Sequence, residues 1–433
     1  MAISHRTKHA DLEMADTVIV GAGIIGVSTA FYLSKHQPGG TIHLVDSSPE
    51  LFASASGYAG GFLARDWFGT GVASLAALSF DEHKRLADLH DGASKWGYSR
   101  STSLSYTAAS QGPGRRSQRG EDWLSYGTSR SGPATGSAPD GLDAHDAHVL
   151  PPWLRREQGD TVKPLGDDKT TAQVDPLQLC RFLLKQCLDS GVHLSHPARA
   201  TAIMKDARGQ LCSLRIADSQ TSTETDVPCT RLVIAAGAWS PQVFQQLFPK
   251  TQSQLPISSL AGHSLVLKSP RWTAEMERRG CHALYATSKT GFSPEIFSRI
   301  GGQLYVAGLN TDQIPLPELA TEKPISADAI KQLKRVAARL LGPEGGAADD
   351  LEVLREGLCF RPSTPYGTPI ISRIDDVHLE EGIATRPDAE GGVFLAAGHG
   401  PWGISLSLGT GKVLAEMTQG RRISSDVSSL MLW

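Results

Sequence analysis

A glycine-rich turn between two short apolar segments constrains the fold of this chain more than any other feature. Gly21, Gly23 and Gly26 stand in the G-x-G-x-x-G spacing within VIVGAGIIGVSTAFYL. The preceding DTVIV is typical of a strand, the turn opens a predicted helix from Ile24 to about His36, and TIHLVD is typical of a second strand. This strand–turn–helix–strand unit predicts a parallel α/β sheet with a nucleotide at the end of its first strand.

The position of Asp46 makes the nucleotide prediction more specific. If the three glycines only formed an ordinary turn, the acid at the end of the second strand would have no explanation. Asp46 ends the second strand, 20 residues after Gly26, where an acid that binds ribose is expected. The helix N-terminus carries a partial positive charge and free N–H groups, which favour a pyrophosphate. We therefore expect Ile24 and Ile25 at this terminus, and Ser47 beside Asp46, to contact a dinucleotide.

A stretch of small residues after the second strand favours FAD over NAD. The segment SSPELFASASGYAGGFLARDW supplies small side chains where an extended FAD would need close backbone approach. The alternatives are a flexible loop at this point and an NAD-dependent dehydrogenase. The predicted FAD contacts from this segment are Ser54, Ser56, Gly57, Gly60 and Gly61.

Composition and charge argue against several other classes of protein. The formal net charge is −3 without a long run of one sign, which disfavours nucleic acid as the main partner. The six cysteines form no C-x-x-C pair, so we expect no zinc site and no disulfide framework. The N-terminal segment is polar, and no apolar run approaches the roughly 20 residues of a membrane span. We expect a soluble cytoplasmic protein.

Residues 110–148 differ in character, being rich in Gly, Ser, Pro and Asp, and are predicted to be a mobile insertion. His145 and His148 within it have a spacing that could suit a metal, whereas a polar loop is the simpler interpretation. No further ligands stand near them in the sequence, so we predict no metal.

Three more segments carry a family resemblance. They are RLVIAAGAWSPQV, GLCFRPSTPYGTPIIS and VFLAAGHGPWGISLSLGTGKVLAEM. With the N-terminal unit, they resemble the family of D-amino-acid oxidase, glycine oxidase and sarcosine oxidase. The segment ASGYAGGFLARDW is similar to the sequences of a little-characterised fungal branch of that family. The resemblance covers both ends of the chain and the middle strand.

The resemblance implies an α/β fold of two domains. A discontinuous Rossmann-like FAD-binding domain is expected beside a second, α+β substrate domain built on an antiparallel sheet. We place the FAD-binding domain at 14–75, 160–250 and 350–424, and the substrate domain at 76–159 and 251–349.

The same resemblance implies oxidation of a small-molecule amine or amino acid that carries a carboxylate. Hydride would pass from carbon to flavin N5, the imine would hydrolyse, and O2 or another electron acceptor would reoxidise the flavin. The alternative is a flavin-binding protein with an interaction or trafficking role and weak or lost catalysis. The oligomeric state is left open.

The resemblance also assigns roles to individual residues. Arg361 matches the arginine that binds a substrate carboxylate, with pairing to Glu356 or another acid as the alternative. Cys359 stands at the offset of the cysteine that is bonded to flavin in the sarcosine oxidase branch. Non-covalent FAD is favoured here, because RPSTPYG looks like the glycine oxidase branch. His399 is the second catalytic candidate, with a structural role as its alternative.

The remaining predicted cofactor contacts lie in the other two similar segments. They are Ala236, Gly237, Trp239, Gly398, Gly400, Pro401, Trp402, Gly403 and Ile404. A helix that begins near Ile404 would stabilise negative charge on reduced flavin. Arg65, Tyr285 and Tyr305 are left open as pocket residues.

Three further segments predict secondary structure. The segment VDPLQLCRFLLKQCLDSGV is typical of a helix that Asp175 caps, and residues 325–341 are typical of an amphipathic helix. The segment EIFSRIGGQLYVAGLN predicts a hairpin that turns at Gly301 and Gly302.

Overall fold

The computed structural model describes four stretches of the chain, namely residues 16–109, 150–287, 292–343 and 350–433. The predicted insertion at 110–148, with His145 and His148, lies outside the described residues.

Strands make up three sheets. In the described residues they are β1 Thr17–Val20, β2 Ile42–Val45, β3 Phe62–Ala64, β4 Ser99–Thr107, β5 Thr161–Gly166, β6 Thr171–Gln173, β7 His193–Ser195, β8 Ala198–Lys205, β9 Leu211–Asp218, β10 Glu224–Pro228, β11 Arg231–Ile234, β12 Ser258–Lys268, β13 Cys281–Thr287, β14 Glu295–Arg299, β15 Gln303–Thr311, β16 Glu352–Ser363, β17 Ile370–Ile374 and β18 Gly392–Ala397.

Helices connect and cover the sheets. Those in the described residues are α1 Ile24–Leu33, α2 Ala55–Tyr58, α3 Thr70–His90, α4 Gly92–Trp96, α5 Pro176–Asp189, α6 Ser240–Leu247, α7 Ala274–Glu277, α8 Ala327–Leu341 and α9 Gly403–Thr418. Within these stretches no helix combines the length and apolar character that crossing a membrane requires.

The first sheet has the strand order β17-β18-β11-β1-β2-β7 and is parallel except for β17. Every residue of β1 and β11 is buried, as expected of central parallel strands covered on both faces. This confirms the strands predicted on either side of the glycine turn. Helix α1 ends at Leu33, earlier than predicted, because His36 and Gln37 both bond back to the Leu33 carbonyl in a closing turn.

The second sheet is the large one, with the order β16-β12-β15-β14-β13-β4-β6-β3 and β5 paired to β4. It is antiparallel except where β13 meets β4. The predicted hairpin β14–β15 turns at Gly301 and Gly302 and is confirmed. Strand β16 lies at the edge of this large sheet, next to β12. The predicted domain boundary at residue 350 instead assigns β16 to the FAD-binding domain. A third sheet contains β8, β9 and β10. The fold class is confirmed, and the domain boundaries stay a prediction.

Two helices begin where the sequence places them, because a side chain caps each of them. Asp175 accepts from the Gln178 N–H at 3.1 Å and starts α5, which confirms the predicted cap. Ser326 accepts from the Ala329 N–H at the start of α8. These caps satisfy backbone donors that a helix leaves free in its first turn.

Candidate active site

A cavity of about 540 Å³ runs from the N-terminus of α1 to the face of the nine-stranded sheet. Residues of β1, β2, β8 and β18, of the turn after β11 and of helix α9 line it, together with residues of β14, β15 and β16. The structure brings together here the residues predicted from both ends of the chain. Of the predicted site residues, those outside the lining are Gly26, Gly57, Gly398 and Trp402.

Two of the three glycines in the turn are needed for the chain to pack, and the third leaves open space in the cavity. Gly21 has φ +106°, and a Cβ there would lie 2.5 Å from the Ala235 carbonyl oxygen. A Cβ on Gly26 would lie 1.8 Å from the Gly21 oxygen, so only glycine lets α1 pack so closely. Gly23 differs, because its φ is −70° and a Cβ would contact only Ser56 Oγ, at 3.0 Å. Gly23 therefore leaves space for a ligand rather than for the chain itself.

Asp46 and Ser56 tie neighbouring segments to this turn. Asp46 accepts from the backbone N–H groups of Ala22, at 2.8 Å, and Ser48, at 3.0 Å. Burial raises the pKa of the Asp46 carboxyl group, and these two hydrogen bonds oppose the rise. Ser56 Oγ accepts from the Ile24 N–H at 2.9 Å. The acid predicted to bind ribose and the small-residue segment thus both lie beside the helix terminus.

Two helix N-termini face the cavity. Gly23 precedes α1 and Trp402 precedes α9, and neither of these N-cap residues supplies a side-chain cap. Gly403 and Ile404, which open α9, line the cavity, as do Ile24 and Ile25 of α1. Ser56 accepts from the Ile24 N–H of α1, and the start of a helix attracts negative charge through its partial positive charge. This arrangement fits a pyrophosphate at α1 and an electron-rich ring at α9, as FAD would provide.

The segment before β3 is held by a buried arginine that the sequence did not reveal. Arg299 on β14 is 3% exposed and donates to the Ala59 carbonyl at 2.5 Å and the Gly60 carbonyl at 2.9 Å. Gln173 also donates to the Gly60 carbonyl, at 2.7 Å. A Cβ on Gly60 would lie 2.5 Å from the Phe297 ring. These contacts fix the glycine backbone at the cavity wall.

Cys359 and Arg361 alternate on β16 and both line the cavity. Arg361 Nη1 donates to Asn310 Oδ1 at 2.6 Å. Gly262 pairs with Cys359 on the adjacent strand, and a Cβ there would lie 1.9 Å from Arg361 Nη1. The glycine therefore creates the space that the guanidinium occupies.

The alternative partner considered for this arginine is engaged elsewhere. Glu356 Oε1 accepts from Lys334 Nζ at 2.7 Å. Glu356 therefore has Lys334 as a partner, and the Arg361 guanidinium lies at the cavity wall.

Three residues on β14 and β15 belong to this end, and sequence reasoning left them out of the predicted site. Glu295 and Phe297 line the cavity together with Tyr305, which the sequence left open. Asn310 lies outside the lining and accepts from Arg361. Alternation along the predicted hairpin could have placed Glu295 and Phe297 on one face. Asn310 could not be placed in that way, because a β-bulge at Gly308 shifts the register.

The opposite end of the cavity contains further residues without a sequence signal. Arg199 on β8 and Glu318 form an ion pair at 2.5 Å, and both line the cavity. Trp239, a predicted contact, also lines it and donates from Nε1 to the Pro317 carbonyl at 2.8 Å. These residues come together only through tertiary contacts between β8, α6 and the segment after β15.

Other candidates have structural partners. Arg65 forms an exposed ion pair with Asp81 and lies outside the lining. Tyr285 also lies outside the lining, and its ring packs against Phe62 with centroids 5.9 Å apart. Trp402 packs against Phe68, with ring centroids 4.6 Å apart.

His399 is buried at the end of the cavity beside α9, and its environment favours the neutral imidazole. Its Nε2 lies 3.1 Å from Thr410 Oγ1 in α9, and Nδ1 has no hydrogen-bond partner among the described residues. Burial lowers the pKa of His399 to about 3. The ring would therefore stay uncharged in the folded protein at neutral pH.

We expect His399→Asn to reduce the acid sensitivity of folding. The unfolded histidine has a pKa near 6.5 and the folded one about 3. Burial of the neutral ring therefore does not lower the free energy of unfolding above about pH 6.5. As the pH falls from 6.5 towards 3, the unfolded chain gains a proton that the folded chain does not, and the free energy of unfolding decreases. The substitution should lower the slope of unfolding free energy against pH by up to about 1.4 kcal/mol per pH unit in this window. Denaturant unfolding at several pH values measures the slope, and an unchanged slope would contradict the assignment.

Comparison with known proteins agrees with this geometry. The chain is 28% identical over 438 residues to a putative oxidoreductase of Schizosaccharomyces pombe, with 94% of this chain and 95% of that protein covered. It is 24% identical over 519 residues to a putative oxidoreductase of Saccharomyces cerevisiae, with coverages of 95% and 93%.

Solved structures share the fold. Glycine oxidase from Geobacillus kaustophilus superposes with a TM-score of 0.67 at 19% identity, over 97% of this chain and 98% of that one. Iminodiacetate oxidase from Chelativorans sp. BNC1 gives a TM-score of 0.68 at 18% identity, over 96% and 98%. The model of the DAO family, described as FAD dependent oxidoreductase, matches residues 16–417. This chain therefore belongs to the DAO family of FAD-dependent oxidoreductases.

Proposed function

We propose that this enzyme oxidises the carbon–nitrogen bond of an amino acid or secondary amine that carries a carboxylate. The observation that carries the proposal is Arg361, a guanidinium that lines the cavity and is oriented by Asn310. Guanidinium presents a planar set of donors that matches a carboxylate in a bidentate way. Glycine oxidase and iminodiacetate oxidase, whose folds resemble this one, are named for substrates that combine an amine with a carboxylate.

Bound FAD supplies the hydride acceptor, and the protein supplies orientation and electrostatics. Arg361 would bind the substrate carboxylate and so fix the carbon that bears the amine. The buried rings of Phe297 and Tyr305 would exclude water from the same space. The N-terminus of α9 would stabilise negative charge that develops beside it. His399 is neutral in this account and takes no proton.

A substrate panel tests the proposal. Peroxide release, and reduction of an artificial dye in case O2 is not the acceptor, should be measured on FAD-loaded protein with amino acids and N-methyl amino acids. We expect turnover of at least one of them. Bound FAD without turnover of any of them would favour the alternative, a flavin-binding protein with an interaction or trafficking role. Cytoplasmic location stays a prediction.

We expect acid to release FAD from the protein, because the favoured interpretation is that FAD is not covalently bonded to Cys359. Cys359 lines the cavity and is 1% exposed, and its thiol would then act only as a small packing group. Acid precipitation should leave the yellow colour wholly in the supernatant, and Cys359→Ser should retain FAD. Colour in the wild-type precipitate that is absent from the Cys359→Ser precipitate would show a covalent bond instead.

A further inference from the structure

We propose that the segment between β15 and α8, residues 312–326, closes the cavity over bound FAD and controls how quickly FAD is released. This segment is here called the strap. Its residues that line the cavity are Leu316, Pro317, Glu318 and Ala320. The proposal goes beyond the function proposed above, because it concerns retention of the cofactor and holds for any substrate.

The strap lies between the cavity and the surrounding water. Glu318 lines the cavity although its side chain is 70% exposed. Pro315 and Glu322, which lie on either side of it in the sequence, are exposed as well. The strap therefore forms part of the outer wall of the cavity, with one side towards the cavity and the other towards solvent.

The strap is a weakly packed part of this wall. It contains neither helix nor strand, and none of its residues is buried. Irregular segments of about 12–15 residues are uncommon in compact domains and usually have a function. A segment with few buried contacts opens locally at a low cost in free energy. Opening of the strap should therefore cost less than opening of the wholly buried strands β1 and β11.

Two contacts from distant elements hold one part of the strap in place. Arg199 on β8 forms the ion pair with Glu318, in which the two side chains are 49% and 70% exposed. Trp239, in the turn after β11, donates from Nε1 to the Pro317 carbonyl at 2.8 Å. Both contacts require the closed position, because their partners lie on elements that are separate from the strap.

A third contact holds the strap near its C-terminal end. Lys323 Nζ donates to the Ala53 carbonyl at 2.7 Å and lies 3.6 Å from the centroid of the Tyr58 ring. A cation in this position is attracted by the electrons of the ring. Ala53 lines the cavity, whereas Lys323 lies outside the lining. A substitution of Lys323 therefore weakens the closed strap without removing a side chain from the cavity wall.

The rate of FAD release tests the role of the ion pair. FAD-loaded wild-type protein, Arg199→Glu, Glu318→Arg and the variant with both substitutions are diluted, and the FAD that remains bound is measured after rapid desalting at timed intervals. Each single variant places two like charges together and should release FAD about fivefold faster, because an exposed pair contributes a modest free energy. The double variant restores opposite charges and should regain the wild-type rate.

The exchange of charges separates closure of the strap from direct contact with FAD. If Arg199 acted on FAD itself, the double variant would still release FAD quickly. Fast release from the double variant would therefore overturn the role of the ion pair. Wild-type release rates in both single variants would overturn closure by the strap.

Lys323→Met tests the other end of the strap. It removes a charged donor and the contact with the Tyr58 ring, so FAD should be released about tenfold faster. Lys185→Met is the matched control, because Lys185 forms an exposed ion pair with Asp189 on α5, at 2.6 Å, and lies outside the lining. The control should release FAD at the wild-type rate, and an equal acceleration in both lysine variants would contradict the role of Lys323.

Hydrogen exchange followed by mass spectrometry locates the structural change. In FAD-loaded Arg199→Glu and Lys323→Met, peptides from residues 312–326 should exchange faster than in the wild-type protein, and peptides from β1 and β11 should not. Faster release of FAD without faster exchange in the strap would overturn the proposal. These measurements use no substrate, so a lack of turnover in the substrate panel would leave their outcome unchanged.

Discussion

Gly23→Glu is expected to give a folded protein without FAD. The backbone of Gly23 has φ −70°, which any residue can adopt, and a Cβ there would contact only Ser56 Oγ within 4 Å. The new side chain would extend into the space at the start of α1 and place a carboxylate where the pyrophosphate is predicted to bind. Juxtaposed like charges cost several kcal/mol, so FAD affinity should fall by about a thousandfold.

The measurement combines flavin absorbance of the purified protein with titration of added FAD and circular dichroism. Gly40→Glu is the matched control, because Gly40 is exposed and its Cβ would approach only His193, at 4.0 Å. That variant should remain yellow. A yellow Gly23→Glu protein would show that the pyrophosphate lies elsewhere, whereas Gly26→Ala is expected to damage folding itself because of its 1.8 Å contact.

Arg361→Met should abolish carboxylate recognition and leave FAD in place. Methionine fills part of the same volume but provides neither charge nor donors. Loss of one partner from a buried charge pair with a substrate costs about 4 kcal/mol, so kcat/KM should fall about a thousandfold. Titration of a simple carboxylate against flavin absorbance should show the same loss of binding in the absence of turnover.

Two further variants separate the charge of Arg361 from its position. Arg361→Lys retains the charge without the bidentate geometry and should lie between wild type and Arg361→Met. Gly262→Ala retains the arginine but places a Cβ 1.9 Å from the present position of Nη1, so it too should weaken carboxylate binding. Wild-type affinity in Arg361→Met would refute the proposed function, provided that FAD content and the thermal unfolding midpoint are unchanged.

Much of the nucleotide end could be predicted from the sequence because its signals are local. The strand β1, the turn and α1 are consecutive, and Asp46 follows at a fixed distance along the chain. Gly26 is forced by a 1.8 Å contact with the Gly21 carbonyl oxygen in the same turn, whereas Gly21 is forced by its positive φ and by the backbone of Ala235, which is distant in the sequence. Local geometry of this kind leaves the same pattern wherever it occurs, and the prediction was correct in strand placement and strand pairing.

The substrate end could be predicted only in part. Arg361 came from resemblance, and Tyr305 was left open on a correctly predicted hairpin. Asn310 required knowledge of the bulge at Gly308, which depends on how β15 pairs with β12. Glu295 required the position of β14 opposite Gly60, a contact between residues more than 200 positions apart.

The sequence by itself determined the class of fold and the cofactor, because these rest on short motifs with fixed spacing and on the family resemblance that the motifs carry, and the same resemblance singled out Arg361 as the candidate for binding a carboxylate. Only the tertiary structure decided which further side chains share the cavity with Arg361. Side-chain direction in a sheet depends on register, and one bulge reverses it. For this reason Glu295, Asn310 and the space left by Gly262 emerged only when the strands were paired.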